Sequence, residues 1–176
     1  EQTEMINAVS RWVLDAALRQ QRAWLDAGIE LNMSVNLSAR NLHDSELPNT
    51  VSQLLKASRI PANQLILEIT EGIAMDSDAE ACLQKLGAMG VRLSIDDFGT
   101  GYSSLAYLKR LPMEELKIDR SFVAGMDTSA DDAAIVRPTI DLAHNLGLRV
   151  VAEGVENEAT LEMLRDYGCD MAQGHH

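Results

Sequence analysis

The sequence predicts a parallel α/β fold of the barrel type, and three observations predict it. Short β-type runs alternate with helical patterns, the spacing of strand–helix–strand units. Strand after strand sets an apolar face against a polar one, whereas an open sheet covered on both sides would read as nearly continuous apolar runs. The polar residues collect at strand C-terminal ends, the rim where parallel barrels hold their sites.

The elements follow in chain order. A helical pattern over 4–26 reads Ile6, Val9, Val13, Leu14, Ala17, with Trp12 and Trp24 as packing residues, and stops at Gly28. In the first strand, 31–38, Leu31, Met33, Val35 and Leu37 oppose Asn32, Ser34, Asn36 and Ser38. A helix over 47–57 leads to a strand over 64–70, where Leu65, Leu67 and Ile69 oppose Ile66, Glu68 and Thr70. A helix over 77–89, opened by Asp76 or Ser77 and closed by Gly90, precedes a strand over 91–97. There Val91, Leu93 and Ile95 oppose Arg92, Ser94 and Asp96. Residues 97–105 form a glycine-bearing loop that enters a short helix. In the strand 116–119, Leu116 and Ile118 oppose Lys117 and Asp119. A helix over 130–146 ends at Gly147 and contains Pro138, so a kink or a broken first half is expected. A strand over 149–155, a helix over 157–167 and a strand over 171–174 complete the pattern.

Composition narrows the function classes. The 176 residues are 46% hydrophobic, which suits one globular domain. Fifteen basic against 27 acidic residues give a net charge of −12, which argues against DNA binding because phosphate backbones require a positive surface. An anionic ligand held through metal ions stays open. No apolar run approaches the ~20 residues of a membrane span, so no membrane contact is expected of this segment. The expected location is cytoplasmic, as a free protein or the cytoplasmic part of a membrane-anchored one. Cys82 and Cys169 fit reduced core positions. The eight Met residues read as core and helix-face fillers, and His43 and His144 as surface or core fillers.

Asn36, Glu68, Asp96 with Asp97, Lys117, Glu153 and Gln173 stand at the ends of successive strands. In a barrel they converge. Crowded carboxylates repel one another, and divalent cations are the simplest compensation. Carboxylate and amide oxygens are hard ligands suited to Mg²⁺ or Mn²⁺. Two such ions on a shared carboxylate point to phosphoester cleavage. Asp96 is the bridging candidate, Glu153 the acceptor of the attacking water's proton, and Lys117 the group that orients that water or neutralises the phosphate. Several of these residues also have a plain structural reading, though Glu68, flanked by Ile and Leu, is hard to excuse as structural because a buried unpaired charge is costly. Asp97 would be a turn or cap residue, Lys117 a salt-bridge partner of Asp119 or Glu153, and Asn36 and Gln173 strand-end groups that satisfy loops. Their joint placement favours a site. The loop beginning at Asp97 either offers backbone N–H groups to a phosphate or is simply mobile and capped by Ser103 or Ser104; it lacks the ending of a Walker loop.

The motifs resemble those of the EAL family, bacterial phosphodiesterases of cyclic di-GMP. The matching blocks are Ser34-Val35-Asn36-Leu37-Ser38, Leu67-Glu68-Ile69-Thr70-Glu71, Asp96-Asp97-Phe98-Gly99-Thr100-Gly101-Tyr102-Ser103-Ser104, Leu116-Lys117-Ile118-Asp119-Arg120-Ser121-Phe122-Val123, Val151-Ala152-Glu153-Gly154-Val155-Glu156 and Ala172-Gln173-Gly174. The resemblance implies a modified TIM-type (β/α)8 barrel, here incomplete with about six strands. It implies two Mg²⁺ or Mn²⁺ ions on Asn36, Glu68, Asp96 and Asp97, with Asp96 shared. Lys117 and Glu153 act around the attacking water, and Glu71 holds the glycine-bearing loop. Gln173 and Arg40 are expected substrate contacts. The product would be linear diguanylate.

The Glu-Ala-Leu (or Glu-x-Leu) signature that the family carries on its first strand, with its metal-binding glutamate, is expected on a strand before Glu1, and a further strand and helix are expected after Gly174. Residues 1–176 are therefore expected to be an EAL domain truncated at both ends, within a chain that carries sensory or GGDEF domains. A homodimer through the loop 97–109 and the following helix is expected. The alternative is an inactive EAL-like module that binds cyclic di-GMP or a protein. A more distant one is an unrelated barrel enzyme using one metal for an enolisation or aldol step.

Overall fold

The computed structural model describes residues 2–74, 76, 78–101 and 105–176. The expected capping roles of Ser77, Ser103 and Ser104 lie outside the described residues. Among the described residues six strands form one sheet: β1 (Met33–Asn36), β2 (Leu65–Thr70), β3 (Arg92–Phe98), β4 (Glu115–Ile118), β5 (Arg149–Val155) and β6 (Met171–Gly174). All neighbours are parallel, and the spatial order is the chain order. Each crossover therefore advances one strand in the same direction, as in a barrel and unlike a doubly wound sheet.

The long helices are α1 (Gln2–Asp26), α3 (Leu47–Ser58), α5 (Glu80–Ala88), α8 (Ala130–Asn145) and α9 (Glu158–Asp166). Between them lie one-turn helices α2 (Ala39–Leu42), α4 (Glu71–Ala74), α6 (Leu105–Leu108) and α7 (Arg120–Val123). The apolar strand residues meet the helices as expected. Leu65, Leu67, Ile69, Leu93, Ile95, Leu116 and Ile118 are fully buried in the outer core, beside Leu83, Leu86, Val136 and Ile140. Local chemistry sets the helix starts: Ser129 accepts from the Asp132 N–H, and Asn157 from that of Thr160.

Some expectations are corrected. Trp12 does not pack in the core but is 67% exposed, and Val9 and Val13 also face solvent. The buried stripe of α1 is Leu14, Leu18 and Gln21, and Trp12 lies about 160° around the helix from Leu14. Gln21 is buried because its side chain donates to the carbonyls of Leu31 and Gln64, tying α1 to the leads into β1 and β2. Asp76 does not cap α5: it accepts from the Asp78 N–H, and the helix starts at Glu80. Helix α8 runs unbroken through Pro138. Met113 and Met126 are core fillers, but Met5 and Met171 are exposed. His43 and His144 each face a carboxylate, Asp76 and Asp170 respectively.

Candidate active site

Lys117 is the centre of the inner face. It projects from β4, is 6% exposed, and reaches carboxylates on three other strands. Its Nζ lies 3.2 Å from Glu68 on β2, 3.0 Å from Asp96 on β3 and 2.6 Å from Glu153 on β5. Strands β2 and β5 are three positions apart, roughly 14 Å across a flat sheet. One ammonium touches both, so the sheet curls into a half-barrel with its polar face inward. Burial alone works against the ammonium, but hydrogen bonds to Glu153 and Asp96 and the charge of Glu68 outweigh it and push the Lys117 pKa up.

A second feature stands at the end of β3. Asp96, Asp97 and Glu153 each offer an oxygen within 4.8 Å of the other two, the one such group of three among the described residues. Asp97 adopts φ +54 and donates its N–H to the Asp96 carboxylate at 3.1 Å. This left-handed turn lets two consecutive residues present carboxylates to one place instead of opposite faces. Burial, then the charges of Asp96 and Asp119, push the Asp97 carboxyl pKa up. The donor set is all oxygen, crowded and electron-rich, and Lys117 is its one close cation among the described residues. That chemistry fits a hard divalent ion.

Glu71 opens α4, is 3% exposed, and accepts from the N–H groups of Gly99 at 2.9 Å and Gly101 at 3.1 Å. Gly99 has φ +102, and a Cβ there would meet the Phe122 ring at 2.9 Å. The turn after Asp97 is therefore held from one side by a carboxylate and packed from the other by an aromatic ring.

The remaining expected residues are placed more loosely. Asn36 is exposed at the end of edge strand β1, in register with Glu68. Gln173 is exposed on edge strand β6, in register with Glu153. Arg40 is exposed on α2, and among the described residues no ion pair joins it to the cluster. Of the plain readings, Lys117 does pair with Glu153 but not with Asp119. Instead Asp119 caps α7 by accepting from the Ser121 N–H at 2.9 Å. Deeper in the half-barrel, Arg92 and Arg149 approach the buried Glu115 at 3.2 and 3.6 Å, an ionic layer that sequence reading missed. Its signal was present: Arg92 alternates with apolar neighbours on the inward face of its strand.

The family model described as the EAL domain matches residues 1–176. The chain belongs to the EAL family. This EAL domain is 50% identical over 177 residues to a bifunctional diguanylate cyclase/cyclic di-GMP phosphodiesterase, MucR of Pseudomonas aeruginosa, covering 99% of this chain and 26% of that protein. It is 43% identical over 178 residues to the cyclic di-GMP phosphodiesterase NbdA of the same species, with 99% and 23% covered. The EAL domain thus spans about a quarter of the length of these curated relatives. Among solved structures it superimposes on the P. aeruginosa MucR phosphodiesterase in complex with c-di-GMP, with a TM-score of 0.93 and 48% identity over 99% of this chain and 72% of that one. The incomplete TIM-type barrel expected from the sequence is the fold found. Among the described residues no helix of the EAL domain is long and apolar enough to cross a membrane.

Proposed function

We propose that this domain hydrolyses cyclic di-GMP to linear diguanylate with two Mg²⁺ or Mn²⁺ ions. The observation that carries the reading is the convergence of Glu68, Asp96 and Glu153 on one buried lysine beside Asp97. The relatives named as cyclic di-GMP phosphodiesterases support it. Asn36, Glu68, Asp96 and Asp97 would hold the ions, with Asp96 shared. Bound ions would supply Lewis-acid activation of water and of the phosphate.

The chain's own groups do the rest. Glu153, fixed by Lys117 at 2.6 Å, takes the proton of the attacking water. Lys117 keeps that carboxylate oriented and offsets charge on the phosphate. Water adds at phosphorus, the bond to the O3′ oxygen breaks, and that oxygen leaves with a proton, giving a linear product with a 5′-phosphate. Gln173 and Arg40 would contact the substrate. Glu71 shapes the turn that places Asp97.

Residues 1–176 would then be part of an EAL domain within a longer cytoplasmic or cytoplasm-facing chain with sensory or GGDEF domains, as the name and length of MucR suggest. The segment 97–109 and the helix after it would form a homodimer contact. The test is hydrolysis of cyclic di-GMP with Mg²⁺ by the full chain and by Glu153→Gln. Linear diguanylate from the first and at least about a hundredfold less from the second is expected. Binding without turnover by the unsubstituted chain would mark it as the inactive module instead.

A further inference from the structure

Helix α1 leads into β1 and α3 into β2, so the C-terminal ends of both helices lie at the end of the half-barrel away from the rim that holds Asp96 and Glu153. There Arg19 and Arg22 of α1 and Arg59 after α3 line one cavity of about 450 Å³ together with Asp26 and Ser58. Three guanidiniums against one lining carboxylate leave two unbalanced positive charges, in a chain whose net charge is −12. Arg19 pairs with Asp15 and Arg22 with Asp26 along the helix surface, and such pairs open at little cost. The Arg59 guanidinium makes no hydrogen bond or ion pair among the described residues.

Arg59 also stands in an unusual place. It ends α3 with φ +55 and ψ +39, in the left-handed region. The other four long helices are each followed within two residues by a glycine with φ of +77 to +84. Glycine takes that conformation freely, whereas an arginine pays a steric cost. A cation that only complemented the carbonyl end of α3 would serve as well from the last turn, where Lys56 already stands. Past Arg59 a second cavity of about 510 Å³ is lined by Leu55, Ile60 and Met89, with Ser52, Lys56 and Arg59 among its polar members. Arg59 is thus the wall that a cationic cleft shares with a mainly apolar one.

We infer that the two cavities form a binding site for a nucleoside 5′-monophosphate, remote from the proposed active site and independent of the phosphodiesterase reading. A phosphate monoester carries close to two negative charges at pH 7 and offers three acceptor oxygens. That matches the two unbalanced charges and the forked N–H groups of Arg19, Arg22 and Arg59. A phosphodiester carries one charge and forfeits much of the match. The body of the ligand follows from the second cavity. A nucleobase has an apolar face to lay against Leu55, Ile60 and Met89, and polar edges for Ser52 and Lys56. An acyl chain would leave those two polar groups unmatched. Cavities of this size are in the range that holds a small organic ligand.

The test is calorimetric titration of the full chain with 5′-GMP in EDTA, which keeps metal ions away from the carboxylate cluster. Saturable binding is expected, about tenfold or more tighter than that of inorganic phosphate or of 3′,5′-cyclic GMP, a diester. Arg59→Gly should weaken GMP binding about tenfold or more, yet melt no lower than the unsubstituted chain, because glycine suits the left-handed turn. Arg59→Lys keeps the charge without the planar fork and should fall between the two. Four results would each overturn the site. They are no saturable binding, inorganic phosphate or cyclic GMP bound as tightly as GMP, unaltered GMP affinity in Arg59→Gly, and an Arg59→Gly chain whose lost affinity comes with a lower melting temperature. None of them bears on the phosphodiesterase reading, which hydrolysis of cyclic di-GMP decides separately.

Discussion

The Lys117 ammonium lies 2.6 Å from the Glu153 carboxylate, and the same nitrogen touches Glu68 and Asp96. One cation thus balances part of a cluster that holds more negative charge than it can neutralise. Divalent ions would supply the remainder, so lysine and metal act on the same carboxylates.

Lys117→Met removes that cation and leaves three carboxylates crowded inside the half-barrel. Without divalent ions the variant should lose about 3–5 kcal/mol of stability in denaturant unfolding. Added Mg²⁺ should restore more stability to it than to the unsubstituted chain. Activity should fall by about a hundredfold or more. Equal Mg²⁺ effects on both chains would contradict the shared-charge account.

Glu71 acts on the turn that carries Asp97. Glu71→Ala strips the acceptor from the Gly99 and Gly101 N–H groups. The Mg²⁺ concentration for half-maximal hydrolysis should rise about tenfold, with Glu71→Gln intermediate because an amide oxygen accepts more weakly than a carboxylate. An unchanged metal titration in Glu71→Ala would detach the turn from the metal site.

Ser94 sits on the inner face between Glu68 and Glu115 in register, fully buried, and its hydroxyl has no hydrogen-bond partner among the described residues. Ser94→Ala removes a desolvated polar group without leaving a large void. Stability should stay level or rise by about 1 kcal/mol. A loss of that size would mean the hydroxyl serves a partner such as a bound water.

Asp170 links three elements, facing the His144 ring at 2.9 Å and accepting from the Val150 N–H at 2.8 Å. Burial alone would raise its pKa, but the His144 and Val150 hydrogen bonds outweigh burial and hold it below the usual range. A carboxyl depressed on folding stabilises fully above its unfolded pKa of about 3.9 and loses that contribution as pH falls through the folded value. Asp170→Asn should therefore melt lower than the unsubstituted chain at pH 7, with the gap closing toward pH 3. A gap constant across that range would refute the linkage.

Much of the site was legible before the structure, because strand alternation marks the inward face. Glu68, Lys117 and Glu153 sit at every-other positions among apolar neighbours, and the barrel brings such positions together. The turn at Asp97 was not legible as a turn that aims two successive carboxylates alike, since period two sends them to opposite faces. Trp12 was misjudged for a related reason. Met5, Val9, Trp12 and Val13 make an apolar stripe at helical spacing, but Leu14, Leu18 and Gln21 form the stripe that the sheet and α3 cover. Periodicity reveals that a helix has an apolar face, while the choice between two such faces is made by tertiary neighbours. The Arg92–Glu115–Arg149 layer needed strand register, which residues far apart in sequence do not announce.

The most direct test is a crystal of the full chain soaked in Mn²⁺ and measured at the manganese absorption edge. Anomalous peaks between Asp96 and Asp97, with Glu68 and Asn36 drawn to the same ions and Lys117 still on Glu153, are the expected result. Carboxylates in the arrangement described above, with no anomalous peak among them at saturating Mn²⁺, would contradict it.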